Sequence, residues 1–285
     1  MSTSSAALRR TPAAVVAALE MDRSRREMYV EGPGDRRFLA WLAGPRRDPN
    51  ALIHEIDIVD LPGESGAKTR ILALAVVAGS NPRIRFFVDC DHDRVLGRTP
   101  PNGVIETDFR DREGYVLNDQ CIDKALLHGV GVDAPDAHTV LAQVLPAARE
   151  LAILRLVSEQ NELKLPFKTL TISTGVTIRN GHLVFDLGRL LRNLVSRSIG
   201  QARLDEVQSL LEKATVDTKE AEDLQLVHGK DTFALIAEIF LKLKVPRIAT
   251  PAILWLTFER SMVGRYPNLS SAVSFLSRRD EPVAV

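Results

Sequence analysis

Three aspartates follow one short apolar run in this 285-residue sequence. Phe86 to Val88 leads directly into Asp89, and Asp91 and Asp93 follow at alternate positions. An apolar run that ends in this way predicts a buried strand that delivers carboxylates to one edge of a sheet. Carboxylate oxygens are the ligands that hard divalent cations such as Mg²⁺ prefer. The pattern therefore predicts a metal site or, alternatively, a strand end whose acids are only solvated.

A further acid follows an earlier predicted strand. Residues 27–30 predict a short strand that ends before Glu31, and two glycines and a proline separate Glu31 from Asp35. These residues predict a tight turn, and Asp35 is predicted to cap the helix that follows. Because the carboxyl ends of parallel strands meet at one edge of a sheet, we expect Glu31 to lie beside Asp89 and Asp91.

The elements that must position these acids alternate between strands and helices. We predict a lead-in helix near 13–19, strands at 27–30, 53–60, 84–88 and 104–107, and helices from residue 36, over 71–78 and over 108–117. This alternation is typical of a parallel sheet with helices on its faces, where ligands gather beyond the carboxyl ends of the strands. The loop that contains Lys68 lacks the glycine spacing of a P-loop, so we interpret it as a flexible turn.

The second half of the sequence predicts mostly helices. They are expected at 137–158, broken or kinked near Pro146, and near 187–198, 202–213, 232–243, 251–262 and 269–278. Strands at 170–176 and 183–186 are predicted to form a hairpin around an Asn-Gly turn. The predicted organisation is a helical lead-in at 1–25, an α/β domain at 26–130 and a mainly helical C-terminal region at 131–285 packed on it.

Composition limits the function classes. Lys+Arg and Asp+Glu both total 37, so the neutral chain is not a uniformly basic protein that coats nucleic acid. Arg189, Arg192 and Arg197 could follow a nucleic-acid backbone or form a solvated helix face. Cys90 and Cys121 have no metal-ligand spacing and favour a reducing cytosol. No apolar run approaches the roughly 20 residues that span a bilayer, so we expect a soluble, cytoplasmic protein with no membrane partner.

The acids at the predicted strand ends resemble a known family. Glu31-Gly32 with Asp35 after one strand, and Asp89 with Asp91 after a later one, are similar to the Toprim domain shared by topoisomerases, bacterial primases and overcoming-lysogenization-defect nucleases. The resemblance covers about residues 26–115. It implies a Toprim-like parallel sheet flanked by helices, with Glu31, Asp89 and Asp91 around Mg²⁺ or Mn²⁺. Many Toprim sequences carry a lysine directly after Glu-Gly, whereas this sequence has Pro33 at that position.

Two further segments narrow the resemblance. Residues 107–115 and 228–231 look like segments of a defence-associated Toprim-like family whose best-known type is AriB, the effector nuclease of the PARIS anti-phage system. The resemblance implies a nuclease that works with an ABC-type ATPase and cleaves RNA or DNA, with transfer RNA as a candidate substrate. A homodimer is a further expectation.

The resemblance and the residue types together assign roles. Catalytic roles are predicted for Glu31, Asp89 and Asp91, further metal ligation for Asp93 and Glu113, support for Asp35 and Asp111, and phosphate or substrate contact for His228 and Lys230. Bound Mg²⁺ can neutralise the phosphate and assist the attacking and leaving oxygens. Glu31 either completes the metal coordination or acts as a general acid or base.

Simpler interpretations stand beside these roles. Glu113 could be an ordinary charge in the first turns of a helix, and Asp231 could be an N-cap in a purely structural turn. His92 lacks a second well-spaced His or Cys for zinc. For the whole chain, the alternative is a Toprim-like module that does not cleave and that docks a partner ATPase. Primase and topoisomerase activities are less well supported, because no zinc-ribbon cysteines or companion tyrosine domain can be identified.

Overall fold

The structure is a computed structural model that describes residues 9–131, 135–198 and 203–278. Its strands are β1 (Arg26–Val30), β2 (Ala51–Glu55), β3 (Ile84–Val88), β4 (Val104–Glu106), β5 (Val176–Arg179) and β6 (His182–Phe185). Its helices are α1 (Pro12–Met21), α2 (Pro33–Ala43), α3 (Ala67–Ala78), α4 (Asp119–Gly129), α5 (Ala137–Gln160), α6 (Leu187–Ser196), α7 (Leu204–Asp217), α8 (Asp223–Leu226), α9 (Gly229–Lys242), α10 (Thr250–Thr257) and α11 (Pro267–Leu276). Within these ranges, no helix combines the length and the apolar character needed to cross a membrane.

Contacts along the chain divide it into two compact units. The first, here called the sheet unit, consists of residues 9–90, 98–108 and 259–278. The second, the helical unit, consists of the described residues among 91–97 and 109–258. Each unit therefore draws on segments that are separated in the sequence.

The sheet unit is built on four parallel strands in the order β2-β1-β3-β4. Alternate side chains point to opposite faces of such a sheet. Tyr29, Phe86 and Val88 pack in one buried cluster with residues of α1 and α3, while α2 and α11 contact the strands from the other side. The predicted α/β class, with a parallel sheet flanked by helices, is confirmed.

The helix α11 is attached to the sheet by side chains from distant segments. Arg26 on β1 donates hydrogen bonds to the carbonyls of Phe275 (2.7 Å) and Ser277 (3.0 Å). The guanidinium groups of Arg26 and Arg85 lie 5.5 and 5.6 Å from the centre of the Phe275 ring, within cation–π range. The Asp108 carboxylate accepts two backbone N–H groups at the start of α11. The helix predicted near 269–278 is thus part of the sheet unit.

The helical unit has its own apolar core. Side chains from α5, α6 and α7 form a buried cluster that includes Leu154, Leu191 and Val207. The strands β5 and β6 form the predicted hairpin, and Asn180 (φ 51°) and Gly181 (φ 80°) adopt the left-handed conformation that a two-residue turn of this kind requires. Helix α5 runs through Pro146 without a break, so a break there is wrong, and the alternative of a kink stays a prediction.

Three predicted elements differ from the structure. The strand predicted at 53–60 ends at Glu55, because its partner β1 ends at Val30, and a 3₁₀ turn follows. Residues 108–117 form no α-helix; they contain a 3₁₀ turn in which Gly114 packs so closely on Phe109 that a Cβ atom would lie 2.5 Å from it. Residues 172–175 form another 3₁₀ turn, and the hairpin strand begins only at residue 176.

Candidate functional site at the carboxyl edge of the sheet

Glu31 and Asp89 meet at the carboxyl edge of the sheet unit. Each residue directly follows a strand, and the two strands, β1 and β3, are hydrogen-bonded neighbours. The backbone N–H of Asp89 donates to Oε1 of Glu31 at 3.0 Å. Both side chains are half-buried. The structure therefore brings together the two acids that the sequence places at neighbouring strand ends.

A lysine that the sequence analysis assigned only to a flexible turn also reaches this edge. Lys68 lies in the first turn of α3, and its Nζ donates to the carbonyl of Cys90 at 3.0 Å. Cys90 is the residue directly after Asp89, so the ammonium group is anchored beside the strand end. The rejected P-loop spacing was the only sequence signal that drew attention to this lysine.

A third strand end supports the same edge. The Cys90 amide donates to Oγ1 of Thr107 at 2.9 Å, and the Thr107 amide donates to the Val88 carbonyl at 2.9 Å. Glu106, the last residue of β4, lies opposite Val88 in the strand register, and its Oε2 is 3.9 Å from Cys90 Sγ. Glu106 is a carboxylate at this edge that the sequence analysis did not select, although the β4 pattern followed by Thr107 could have indicated it.

Asp91 and Asp93 belong to the loop segment of the helical unit. Because β3 ends at Val88, the alternation of side chains along a strand does not extend to Asp91, and the predicted shared strand face is not present. Asp91 has a positive φ of 54°, and its N–H donates to the Arg110 carbonyl at 2.6 Å. Aspartate is among the few residues that tolerate this conformation. Asp93 is half-buried.

His92, between these two aspartates, is buried against an acid. Its Nδ1 lies 2.7 Å from Oε2 of Glu159 on α5. Burial lowers the pKa of His92 to about 4, and Arg110 contributes in the same direction despite the opposing effect of Glu159. The imidazole is therefore neutral near pH 7 and serves as a buried packing residue of the helical unit.

Asp111 and Glu113 come together at the first residue of α9. Oδ2 of Asp111 accepts the Gly229 N–H at 2.7 Å. A Cβ atom on Gly229 would lie 2.1 Å from Glu113 Cβ and 2.5 Å from Asp111 Oδ1. Both acids are buried, and burial together with the nearby Glu113 raises the pKa of Asp111 above the usual range of aspartate. Glu113 lies in a 3₁₀ turn, not in the first turns of an α-helix.

Asp231 is a buried ion-pair partner and not the N-cap that the sequence predicts. Helix α9 begins at Gly229, with His228 at the N-cap position. Arg155 donates to both carboxylate oxygens of Asp231, at 2.6 and 2.9 Å, and His228 Nδ1 lies 3.2 Å from Oδ1. Burial alone would raise the pKa of Asp231, but His228 and Arg155 outweigh it and hold the pKa at about 2. The Asp111 contact explains why the helix starts earlier than predicted.

Lys230 lines an open groove in the helical unit. It is exposed on the first turn of α9, and the groove, of about 620 Å³, also contains Phe233, Ile248 and Trp255. Among the residues that the structure describes, no side chain forms a hydrogen bond or ion pair with the Lys230 ammonium. Lys230 can therefore contact an anion from outside the unit, whereas His228 is engaged with Asp231.

Asp35 caps its helix in a way that differs from the prediction. The N-cap of α2 is Gly32, and Asp35 occupies the third helical position, from which Oδ2 accepts the Gly32 N–H at 3.2 Å. This contact is one half of a capping box. It fixes the turn directly after Glu31, and the supporting role predicted for Asp35 in a metal site stays a prediction.

A buried carboxylate that the sequence analysis did not select lies at the opposite end of β1. Glu27 is fully buried and pairs with Arg25 (2.6 Å) and Arg10 (3.2 Å), and it accepts the Tyr29 hydroxyl at 2.6 Å. Burial and Glu27 raise the pKa of Tyr29 well above its ordinary range. Burial also lowers the pKa of His54, whose Nε2 is 3.8 Å from Glu27. An acid at the start of a short strand carries no sequence signal of such burial.

The donor groups of each unit bear on metal binding. Within the described ranges, no three His, Cys, Asp or Glu side chains converge closely enough to form a metal cluster by themselves. Glu31 and Asp89 supply two carboxylates at one edge of the sheet unit. In comparisons with known proteins, the chain matches no protein-family model, and no curated protein shows significant similarity to it.

Proposed function

We propose that this chain is a Mg²⁺-dependent nuclease that cleaves phosphodiester bonds of nucleic acid. The observation that carries the proposal is the hydrogen bond from the Asp89 amide to the Glu31 carboxylate, at the ends of two neighbouring parallel strands. Ligands of open parallel sheets gather at this edge. Two acids that reach the same edge from separate strands are suited to holding a cation and the phosphate that it binds.

The donor set fits Mg²⁺. This ion is bound through one or two protein carboxylates, while water and substrate phosphates complete its octahedral coordination. Glu31 and Asp89, both of the sheet unit, would hold it, and the ligation that the resemblance implies for Asp91, Asp93 and Glu113 stays a prediction. When bound, the ion supplies charge neutralisation at the phosphate and activation of water. Mn²⁺ has similar ligand preferences and would serve as well.

The remaining tasks fall to other groups of the sheet unit. Glu31 fixes the backbone of Asp89, which limits the directions that the Asp89 carboxylate can take. Lys68 fixes the Cys90 carbonyl and places a positive charge beside the strand end, where a phosphate would be attracted. Glu31 either binds the metal directly or transfers a proton as a general acid or base.

The proposed biological setting is anti-phage defence. It rests on the resemblance of residues 107–115 and 228–231 to the defence-associated family, and it makes the chain an effector controlled by an ABC-type ATPase. Transfer RNA, other RNA and DNA are the substrates to compare, because carboxylates and a metal act on the phosphodiester group that all of them share.

The test compares variants that keep hydrogen bonding but lose charge. Glu31→Gln retains an oxygen that can accept the Asp89 amide, and Asp89→Asn retains the size of the side chain. Glu20→Gln, at an exposed position on α1, is the matched control. Labelled transfer RNA, single-stranded RNA and duplex DNA are incubated with each protein in Mg²⁺ or in EDTA, with and without the proposed ABC-type ATPase partner.

We expect wild type and Glu20→Gln to cleave at least one substrate only in the presence of Mg²⁺. The site variants should be about 1,000-fold slower, since a metal contact contributes several kcal/mol to transition-state stabilisation. Equal Mg²⁺-dependent cleavage by all four proteins would contradict the proposal. If wild type binds the ATPase but cleaves nothing in its presence, the alternative of a module that does not cleave is favoured.

A further inference from the structure

One segment of the helical unit is basic although the whole chain is neutral. Residues 162–198 carry a net charge of +4, with acids only at Glu162 and Asp186. Their basic side chains, all exposed, are Lys164, Lys168, Arg179, Arg189, Arg192 and Arg197. In the part of the chain that the structure describes, none of these six forms a side-chain hydrogen bond or ion pair. The segment therefore presents cations whose charge no neighbouring acid compensates.

Helix α6 orders three of these cations. Its apolar face, which includes Leu190 and Leu194, is buried in the core of the helical unit. Arg189, Arg192 and Arg197 lie on the exposed side together with Asn193. We call these four residues the α6 basic face. At 1.5 Å of rise per residue, the helical span from residue 189 to 197 is about 12 Å, so the arginines form a row and not a single point of charge.

A small cleft lies at the end of this row. It has a volume of about 60 Å³ and is lined by Arg197, Asn193 and three threonines. The hydroxyls of Thr169 and Thr174 donate to backbone carbonyls within their own turns. The guanidinium of Arg197, the amide of Asn193 and the hydroxyl of Thr171 therefore remain as donors that line the cleft. The space equals about two water molecules, which suits a small tetrahedral anion.

The geometry points to the α6 basic face as a binding surface for the phosphate backbone of a nucleic acid. Cations that neutralise phosphates release condensed counterions, and this release supplies most of the affinity of binding that does not depend on sequence. Arginine is well suited to this role because its planar fork matches the geometry of a phosphate. The inference rests on the proposed function in its choice of nucleic acid as the partner.

The exposed residues favour nucleic acid over a lipid surface. A helix that lies on a membrane inserts bulky apolar side chains beside its cations. In residues 162–198 the one large hydrophobic side chain that the structure shows as exposed is Val184, at 43%. The leucines of α6 pack in the protein core. The surface therefore lacks the apolar component that membrane binding requires.

The test separates binding from cleavage by omitting the metal. A fluorescein-labelled 20-nucleotide single-stranded RNA, and the DNA of the same sequence as single strand and duplex, are titrated with full-length protein in EDTA at several salt concentrations. The test variant carries Arg189→Gln, Arg192→Gln and Arg197→Gln. The control carries Lys219→Gln, Lys242→Gln and Lys244→Gln, which remove the same charge from exposed positions of the same unit.

We expect the test variant to bind nucleic acid about 30-fold more weakly near 0.1 M salt. The magnitude of the slope of log K against log salt should fall by about 2–3, because each of the three lost phosphate contacts contributes about 0.7–0.9 to that slope. The control should retain most of the affinity. Comparison of the three probes identifies whether RNA or DNA is preferred. Because metal is absent, this result holds whether or not Glu31 and Asp89 cleave the bound chain.

Three results would overturn the inference. The first is an unchanged affinity and salt slope in the test variant, and the second is an equal loss in the control. The third is wild-type binding to poly-glutamate or to vesicles of anionic lipid, lost in the test variant, without binding to any of the nucleic acids. Circular dichroism and thermal unfolding of both variants confirm that the exposed substitutions leave the fold intact.

Discussion

The two ends of strand β1 carry acids in opposite situations. Glu27, at the amino end, is fully buried and is surrounded by Arg10, Arg25 and the Tyr29 hydroxyl. Glu31, directly after the carboxyl end, is half-buried, and it binds the backbone amide of Asp89. Three residues of one strand therefore separate an acid enclosed by cations from an acid that solvent can reach.

This difference shows how the surroundings of a carboxylate determine its role. An acid enclosed by arginines and a hydroxyl is satisfied by the protein, so its removal leaves partly buried cations without their partner. An acid that solvent reaches at the edge of a parallel sheet can meet a cation and a substrate. We therefore expect stability to depend on Glu27 and chemistry to depend on Glu31.

The largest expected effect on stability comes from replacing each of these two acids by its neutral amide. Glu27→Gln keeps an acceptor for Tyr29 but removes both ion pairs, so the free energy of unfolding should fall by about 3 kcal/mol. This value is at the lower end of the range for a broken buried ion pair, because both arginines reach solvent. Glu31→Gln should lose less than about 1 kcal/mol. Urea unfolding of both variants measures the difference. The comparison fails if Glu31→Gln is the less stable protein.

Gly229→Ala tests whether Asp111 and Glu113 are also enclosed acids. The added Cβ atom would lie 2.1 Å from Glu113 Cβ, so we expect a loss of about 2–3 kcal/mol from overpacking, even though alanine is the better helix former. Gly264→Ala, where a Cβ atom would have no neighbour within 4 Å, is the control. Thermal unfolding of both variants measures the difference in stability. Equal stabilities of Gly229→Ala and Gly264→Ala would show that Asp111 and Glu113 can move apart.

Asp231 extends the comparison to pH. Its pKa of about 2 in the folded protein lies below the 3.8 of the unfolded chain, so the ionised side chain stabilises the fold above about pH 4, and this contribution is lost as the pH falls to 2. Asp231→Asn should remove about 2 kcal/mol at pH 7 and flatten the dependence between pH 4 and 2. Exposed Asp205→Asn is the control. An unchanged acid-unfolding midpoint in Asp231→Asn would contradict this assignment.

Lys68→Met has the smallest expected effect and sharpens the description of the carboxyl edge. The variant keeps most of the aliphatic stem but loses the ammonium that binds the Cys90 carbonyl. We expect cleavage to slow by about 10-fold, corresponding to about 1.4 kcal/mol, with little change in stability. Lys68→Arg should recover part of the rate because it keeps the charge. A Lys68→Met variant that cleaves as fast as wild type would remove Lys68 from the proposed site.

Much of the fold could be predicted because it depends on local patterns. The apolar runs at 28–30 and 86–88 end β1 and β3 and are followed by acids, and the alternation of strands with helices predicts a parallel sheet. The positions of Glu31 and Asp89 at one edge follow from that arrangement. The boundaries failed where a partner ended or a close contact intervened, as at Glu55 and Gly114.

The remaining features depend on contacts between residues distant in sequence. No pattern near Lys68 predicts its bond to Cys90, and the burial of Glu27 requires arginines from two other positions. The left-handed conformation of Asp91 depends on its bond to the Arg110 carbonyl. Such features arise only after the chain has folded, which explains why Glu27 and Lys68 were not selected from the sequence, whereas the β4 pattern could have indicated Glu106.

Helix α11 has a consequence for the order of events during protein synthesis. It belongs to the sheet unit, and Arg26 on the first strand binds its last carbonyls. At an elongation rate of about 5–20 residues per second, roughly 10–40 s separate the synthesis of β3 from that of α11. The nascent chain on the ribosome therefore carries Glu31 and Asp89 on a sheet that lacks one of its covering helices. The sheet gains this covering helix only when translation has passed residue 276.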